Sequence, residues 1–227
     1  MDCKLTDNLP PRDENPTAER QAGFTLIELS AAMGIFTVLV TVFLVAVAGL
    51  AQGTNTARNT ASSSSGAMIV FQNLDRQIRY ADAVNFSGAG PSGARYIEFR
   101  TPAANSATGV ATCTQWRYVP GDQRVESRRW QNVTGVTLPA WGNKVNGVTD
   151  LGGIEYPFSL IPASAASSAQ QQLRLSLESG DPAVGGETSI NTIFVARNSS
   201  LLSPSNADVN GDGNSDSPVC RPTGSRP

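Results

Sequence analysis

The sequence has 227 residues, with 17 Lys and Arg against 19 Asp and Glu and a formal net charge of −2. Histidine is absent, so the usual general base, the usual triad member and the commonest metal ligand are missing. The sequence also contains no Gly-Lys-Ser/Thr phosphate loop and no Cys-x-x-Cys motif. Nothing here predicts an enzyme, and the near balance of charge gives no strong signal for nucleic acid.

The first 23 residues form a polar leader that contains Pro10, Pro11 and Pro16. The leader has no apolar stretch before a small-residue cleavage site, so it is not an ordinary secretory signal peptide. It carries three basic and five acidic residues, which leaves 14 basic (17 − 3) and 14 acidic (19 − 5) residues in the rest of the chain. We expect the leader to be disordered and cytoplasmic.

An apolar run follows at residues 24–51, and Glu28 is its only ionisable side chain. A helix needs only about 20 such residues to cross a bilayer, so the run predicts a membrane span. A carboxylate inside a membrane costs roughly 2.5–3.5 kcal/mol on insertion scales. Glu28 therefore has either a partner or a function, unless it reaches the headgroups and costs little.

The junction between leader and span reads Gly23-Phe24-Thr25-Leu26-Ile27-Glu28-Leu29. With the apolar run behind it, this stretch resembles the prepilin motif of type IV pilins and type II secretion pseudopilins. The resemblance implies that a prepilin peptidase cuts between Gly23 and Phe24 and that the new amino group of Phe24 is methylated. It also implies that Glu28 pairs with the N-terminal ammonium of a neighbouring pilin or pseudopilin subunit as a filament grows.

The region after the span, residues 52–84, is expected to be a linker followed by the second half of the helix. Residues 54–65 are small and polar, which predicts a flexible joint or a weak helix. Apolar residues then recur every three or four positions, which predicts an amphipathic helix whose apolar stripe lies on a sheet: Met68, Phe71, Leu74, Ile78 and Ala81.

From residue 85 to 227 the pattern changes to turns and short alternating runs, which predict a β-rich head. Strands are predicted at residues 95–100, 112–119, 124–130, 133–138, 154–160, 173–178 and 190–197. Residues 112–119 and 124–130 form a hairpin, in which Thr114, Trp116 and Tyr118 share one face. A helix followed by strands at hairpin spacing predicts an α+β fold with an antiparallel sheet.

The pilin resemblance implies the same order of elements, with the head packed on the outer half of the N-terminal helix. The hairpin segment, residues 113–130, also resembles the heads of the larger minor pilins and pseudopilins. This second similarity favours a minor subunit over a major one.

Three cysteines are present, but Cys3 lies in the leader and would be removed with it. Cys113 and Cys220 remain, and two cysteines in an exported domain predict a disulfide. The alternative is a pair of free thiols buried as small apolar side chains.

The tail contains an Asp/Asn-rich stretch with oxygen-bearing side chains at Asp208, Asn210, Asp212, Asn214 and Asp216. This spacing matches the first nine positions of a calcium loop, where hard oxygens converge while the chain turns sharply. Val219 stands where the bidentate carboxylate of a complete EF-hand would be. The stretch therefore indicates either a partial Ca²⁺ loop, similar to those of dockerins and thrombospondin repeats, or a surface loop that binds no ion.

One further pattern combines Arg124, Arg128 and Arg129 with Trp116 and Trp130. Basic and aromatic side chains together are typical of a nucleic-acid surface, but three arginines on a hairpin also fit an ordinary solvated face.

The sequence thus predicts a single-pass protein of the cytoplasmic membrane, with the head outside the cytoplasm, that enters a pilus or pseudopilus as a minor subunit. Membrane lipid, prepilin peptidase and other subunits are the expected partners. Two alternatives stay open. One is a signal-anchored, calcium-binding surface domain that does not polymerise, and the other is a pilus-tip subunit for DNA uptake or adhesion.

Overall fold

The computed structural model describes residues 23–180, 185–212, 214–224 and 226–227. The predictions for leader residues 1–22, including Cys3, lie outside these ranges. The fold is α+β, with one long helix followed by antiparallel strands, as predicted. The elements in chain order are α1 (Leu26–Ile78), β1 (Ala83–Val84), β2 (Gly88–Ala89), β3 (Arg95–Thr101), β4 (Thr112–Val119), β5 (Arg124–Gln131), β6 (Gly142–Asn146), β7 (Phe158–Ile161), β8 (Gln172–Ser179) and β9 (Thr188–Val195).

The chain divides into two compact units, Met1–Gly49 and Leu50–Pro227. In the first unit, the described residues are almost entirely helical and all are exposed. The most apolar 18-residue window of α1 has a mean hydropathy of 2.6 and no buried residue. By length and composition, α1 is the one described helix that could cross a membrane.

In the second unit, α1 continues without a break through residues 54–65, so this polar stretch is helical and not a joint. The buried residues of α1 are Ser63, Ala67, Val70, Leu74 and Ile78, and we call them the α1 stripe. Their spacing of three and four residues places them on one face of a helix. The prediction was correct for Leu74 and Ile78 but wrong for Met68, which is 51% exposed.

Sheet A contains six strands in the order β1-β3-β4-β5-β6, with β2 also paired to β3. All of its pairings are antiparallel. The predicted β4–β5 hairpin is present, and Trp116 and Tyr118 face the same core as the α1 stripe. Strand β6 was not predicted, because Val145 is the only buried residue in it and its other residues give no apolar alternation.

Sheet B contains three antiparallel strands in the order β7-β8-β9. The predicted strand at residues 173–178 is confirmed as β8, with Leu173, Leu175 and Leu177 buried in the core. The strand predicted at residues 154–160 begins only at Phe158, because Pro157 has no backbone N–H for a ladder. Side chains of both sheets join the α1 stripe in one apolar core.

The C-terminal segment lies on the other face of sheet A, where Cys113 and Cys220 form a disulfide. The bond closes a separation of 107 residues and confirms the predicted pairing. Val219 and Trp130 pack with it in a second apolar cluster. A strand was predicted at residues 133–138, but these residues form a loop. Val136 and Leu138 of this loop pack on the cluster.

Replacing both half-cystines, Cys113→Ser with Cys220→Ser, should lower the thermal midpoint of the head on the order of 10 °C. A closed loop of this length is worth about 4 kcal/mol in the chain-entropy model, and each kcal/mol shifts the midpoint by about 2–4 °C in a domain of this size. Circular dichroism during heating measures the change. The unmodified protein heated with a thiol reductant is the control and should behave like the double variant, and an unchanged midpoint in the double variant would contradict the stabilising role.

Candidate functional site

The junction that resembles a prepilin motif lies at the start of α1. Residues 23–25 are not helical, and α1 begins at Leu26. The backbone N–H of Glu28 donates to Thr25 Oγ1 at 3.3 Å, and the N–H of Leu29 donates to the Thr25 carbonyl at 3.1 Å. Thr25 is therefore the N-cap of α1, and the predicted cleavage bond lies outside the helix.

The role of Thr25 is visible in the sequence, although the resemblance did not identify it. Thr25-x-x-Glu28 is the capping-box pattern, in which a threonine hydroxyl accepts a hydrogen bond from the N–H three residues later. The cap fixes the residue at which the helix starts. Phe24 is 84% exposed just before it.

Other polar side chains inside the apolar run are satisfied within the helix. The hydroxyls of Ser30, Thr37 and Thr41 donate to the carbonyls four residues earlier, at 2.9, 2.8 and 2.8 Å. Such bonds suit an apolar environment, where each polar group needs a partner in the protein. The Glu28 carboxylate has no ion pair or side-chain hydrogen bond among the described residues.

The Asp/Asn-rich stretch of the tail forms a loop closed by its own side chains. Asp208 Oδ1 and Asn210 Oδ1 each accept from the Asp212 N–H at 3.1 Å, and Asp212 Oδ1 accepts from the Asn214 N–H at 2.8 Å. Asp216 Oδ2 accepts from the Val209 N–H at 3.0 Å. All five predicted ligands thus belong to one loop, and side-chain oxygens of four of them, Asp208, Asn210, Asp212 and Asp216, cap its backbone.

This loop does not gather its carboxylates into a metal centre. In the described part of the chain, no group of three or more His, Cys, Asp or Glu side chains is placed to hold a metal ion. Asn210 and Asn214 add amide oxygens, which calcium also accepts. Calcium binding stays a prediction.

Comparison with known families bears on the junction. The model of the prokaryotic N-terminal methylation motif matches residues 19–50, which include Gly23, Phe24, Glu28 and nearly all of the apolar run. The chain carries the N-terminal segment of the type IV pilin and pseudopilin family. Comparisons with curated proteins and with solved structures found no match.

The pilin-type segment makes this chain a precursor of the kind that prepilin peptidase processes. It also points to a structural protein. The family match ends at residue 50, so the head and its tail loop are described by their own structure alone.

The Arg/Trp pattern of the pilin-like head is not a shared surface. Arg124 pairs with Asp122 and Glu126 at 3.0 Å each. Arg128 is buried, donates to Gln115 Oε1 at 2.9 and 2.7 Å, and lies 4.2 Å from the Trp141 ring centre. Trp116 is in the core, and Arg129 is exposed. Arg128 also lies 5.5 Å from the Trp130 ring centre, but both side chains are buried, so these five residues do not form an exposed stacking platform for bases.

A calcium-binding tail loop predicts that calcium raises the thermal midpoint. At a free concentration 100-fold above Kd, the rise should be about 5–10 °C, and EDTA should reverse it. Asp208→Asn with Asp212→Asn keeps the backbone-capping oxygens but removes two charges, and should abolish the effect. Glu187→Gln, an exposed carboxylate elsewhere in the head, is the matched control. The same rise in the double variant would contradict the prediction.

Proposed function

We propose that this chain is the precursor of a minor pilin or pseudopilin, cut between Gly23 and Phe24 and methylated at the new terminus. The N-terminal helix enters the core of a type IV pilus-like or type II secretion-like filament, and the β-rich head lies outside the cytoplasm. Before assembly, the protein is held in the cytoplasmic membrane by the same helix. The observation that carries the proposal is the methylation motif at residues 19–50, followed by a helix whose apolar window is wholly exposed.

In this proposal, Glu28 pairs with the N-terminal ammonium of a neighbouring subunit. The other polar side chains of the run are satisfied within their own helix, so Glu28 is the group that still needs a partner. Cleavage would create an ammonium at Phe24, four residues earlier and roughly 6–10 Å away along the chain. A neighbour displaced by that distance along the helix axis brings its ammonium level with Glu28. Opposite charges in low dielectric offset each other's desolvation only at such close range.

Support for a minor subunit comes from the head. It contains two sheets and a disulfide-anchored tail, in addition to the helix that the motif accounts for. A minor subunit should be far less abundant in purified filaments than the major one, which quantitative mass spectrometry of the filaments measures.

Two alternatives predict different measurements. A signal-anchored domain that does not polymerise would not cross-link to other pilin-like subunits, whereas a filament subunit should. A DNA-uptake subunit would bind DNA through its head with an affinity that falls with salt. The ion pairs of Arg124 and the burial of Arg128 do not favour this second alternative.

Intact-mass and N-terminal peptide analysis should find that the membrane-bound protein begins at Phe24 and carries one methyl group on its terminal amine. Residues 23–25 are exposed and outside the helix, so helical hydrogen bonds do not shield the bond from a peptidase. A strain without prepilin peptidase should keep the full leader. A mature terminus at any other residue, or an unmethylated Phe24, would contradict the proposed processing.

Glu28→Gln should leave cleavage unchanged and reduce incorporation into filaments at least about tenfold. The substitution preserves size but leaves the neighbour's ammonium without its charged partner, and breaking a buried ion pair costs roughly 3–5 kcal/mol. Immunoblots of sheared filaments and of membranes separate assembly from processing. Thr41→Val is the matched control, because the Thr41 hydroxyl bonds only within its own helix. Normal filament incorporation of Glu28→Gln would refute the pairing.

A further inference from the structure

A cleft of about 150 Å³ opens where the end of α1 meets sheet A. The helix and the turn after it contribute Arg76, Gln77 and Tyr80. Sheet A contributes Thr101, Thr114 and Arg129, and the 3₁₀ turn that follows β3 contributes Asn105. Every lining side chain is polar, although the cleft borders the main apolar core through Ile78 and Trp116.

The two amides of the cleft are held with their oxygens engaged and their NH₂ groups available as donors. Gln77 Oε1 accepts from Trp116 Nε1 at 3.0 Å, which leaves the Gln77 NH₂ group free of that bond. Asn105 Oδ1 accepts from Asn198 Nδ2 at 3.2 Å, which leaves the Asn105 NH₂ group. An amide whose oxygen is already engaged offers its hydrogen-bond capacity chiefly as a donor.

Three hydroxyls add to these donors. Thr101 and Thr114 are 6% and 2% exposed, and Tyr80 lies at the helix end. Among the described residues, none of these three hydroxyls has a hydrogen-bond partner. Each of these hydroxyls can therefore turn its O–H group toward the cleft and donate one hydrogen bond to an oxygen of a ligand.

The charged side chains that line the cleft are all positive. Arg76 and Arg129 both line it, and no carboxylate does. The nearby acids are engaged elsewhere: Asp75 with Arg79 at 2.6 Å, and Asp82 with Arg100 at 3.0 Å. Arg129 has no ion pair within the described part of the chain, and the one hydrogen bond of Arg76, to Asn73 Oδ1, is 3.4 Å long. The C-terminal end of α1 carries a partial negative charge equivalent to about half a unit, which does not neutralise two guanidinium groups.

We propose that this cleft binds a tetrahedral oxyanion, phosphate or sulfate, either as the free ion or as the terminal group of a larger molecule. Guanidinium forks match the oxygen edges of such anions, and hydroxyl and amide donors can serve the remaining oxygens. A carboxylate has only two oxygens and one charge, so it would leave several of the donors unused. The cleft volume accommodates one such group.

The test is thermal unfolding of the full-length mature protein in a neutral detergent, titrated with inorganic phosphate or with sulfate at constant ionic strength set by chloride. The midpoint should rise and saturate in the unmodified protein. Arg129→Gln should need about tenfold more anion for the same rise, because one charge-assisted contact is lost. Arg174→Gln, an exposed arginine on β8 in sheet B, is the matched control and should behave like the unmodified protein.

Two further measurements keep the test decisive. Without anion, Arg129→Gln should unfold no earlier than the unmodified protein, because removing one of two like charges relieves repulsion. Thr114→Val keeps the side-chain shape and removes one hydroxyl, and should weaken the phosphate response as well. An equal response in Arg129→Gln and in the unmodified protein, or an equal rise with chloride alone, would overturn the proposal.

A phosphomonoester arm separates the two sources of the oxyanion. If glycerol 3-phosphate stabilises the protein at least as well as inorganic phosphate, the cleft accepts the terminal group of a larger molecule. If only the inorganic ions stabilise it, the ligand is the free ion. Stabilisation by neither would overturn the proposal.

Discussion

Close packing of the α1 stripe against two sheets determines the arrangement of the unit Leu50–Pro227. At Gly66 the helix approaches β6 so closely that an added Cβ would lie 2.6 Å from Val145 Cγ2. Further along, the ring of Phe71 lies 5.4 Å from that of Phe194 on β9. Small residues on the helix thus set the distance to sheet A, and a large one contacts sheet B.

The polar segment before the stripe is fixed in a different way. Asn59 Nδ2 donates to the Gly185 carbonyl at 2.5 Å, and Ser64 Oγ bonds with Thr188 Oγ1 at 2.9 Å. Gly186 has a φ of +86° and packs so closely on Thr60 that no side chain would fit there. Residues 59–64 are helical in a small, polar sequence because the head supplies hydrogen bonds and close contacts to them.

Much of the fold follows from local sequence patterns. The parts that local patterns do not predict depend on contacts with distant segments of the chain. The alternation in β8 and the β4–β5 hairpin identify strands because one face is apolar. Residues 133–138 carry apolar side chains but form a loop, since those side chains pack on a disulfide cluster that local pattern cannot reveal. Met68 was predicted to lie on the stripe because it is large and apolar, but the helix approaches the sheet through the small residues Gly66 and Ala67.

The functional residues also differ in how far the sequence predicts them. Gly23, Phe24 and Glu28 lie within six consecutive residues, so a local motif identifies them, and the capping pattern could have identified Thr25 as well. The donor-lined cleft draws on α1, sheet A and a turn, and its character depends on which atoms of Gln77 and Asn105 are already engaged. No spacing in the sequence encodes that, because the partners Trp116 and Asn198 lie 39 and 93 residues away.

Glu28 connects the helix start to the proposed assembly through the cost of its charge. Thr25 caps the helix with its hydroxyl, so the carboxylate of Glu28 is not engaged as the cap. In a single membrane-held subunit, as proposed, the carboxylate would have no fixed partner, and a carboxylate near the centre of a bilayer costs roughly 2.5–3.5 kcal/mol. Docking beside a processed neighbour would remove this cost, whereas docking beside an uncut precursor would not, because its Phe24 has no ammonium. The same charge would therefore favour assembly and restrict it to subunits that have already been processed.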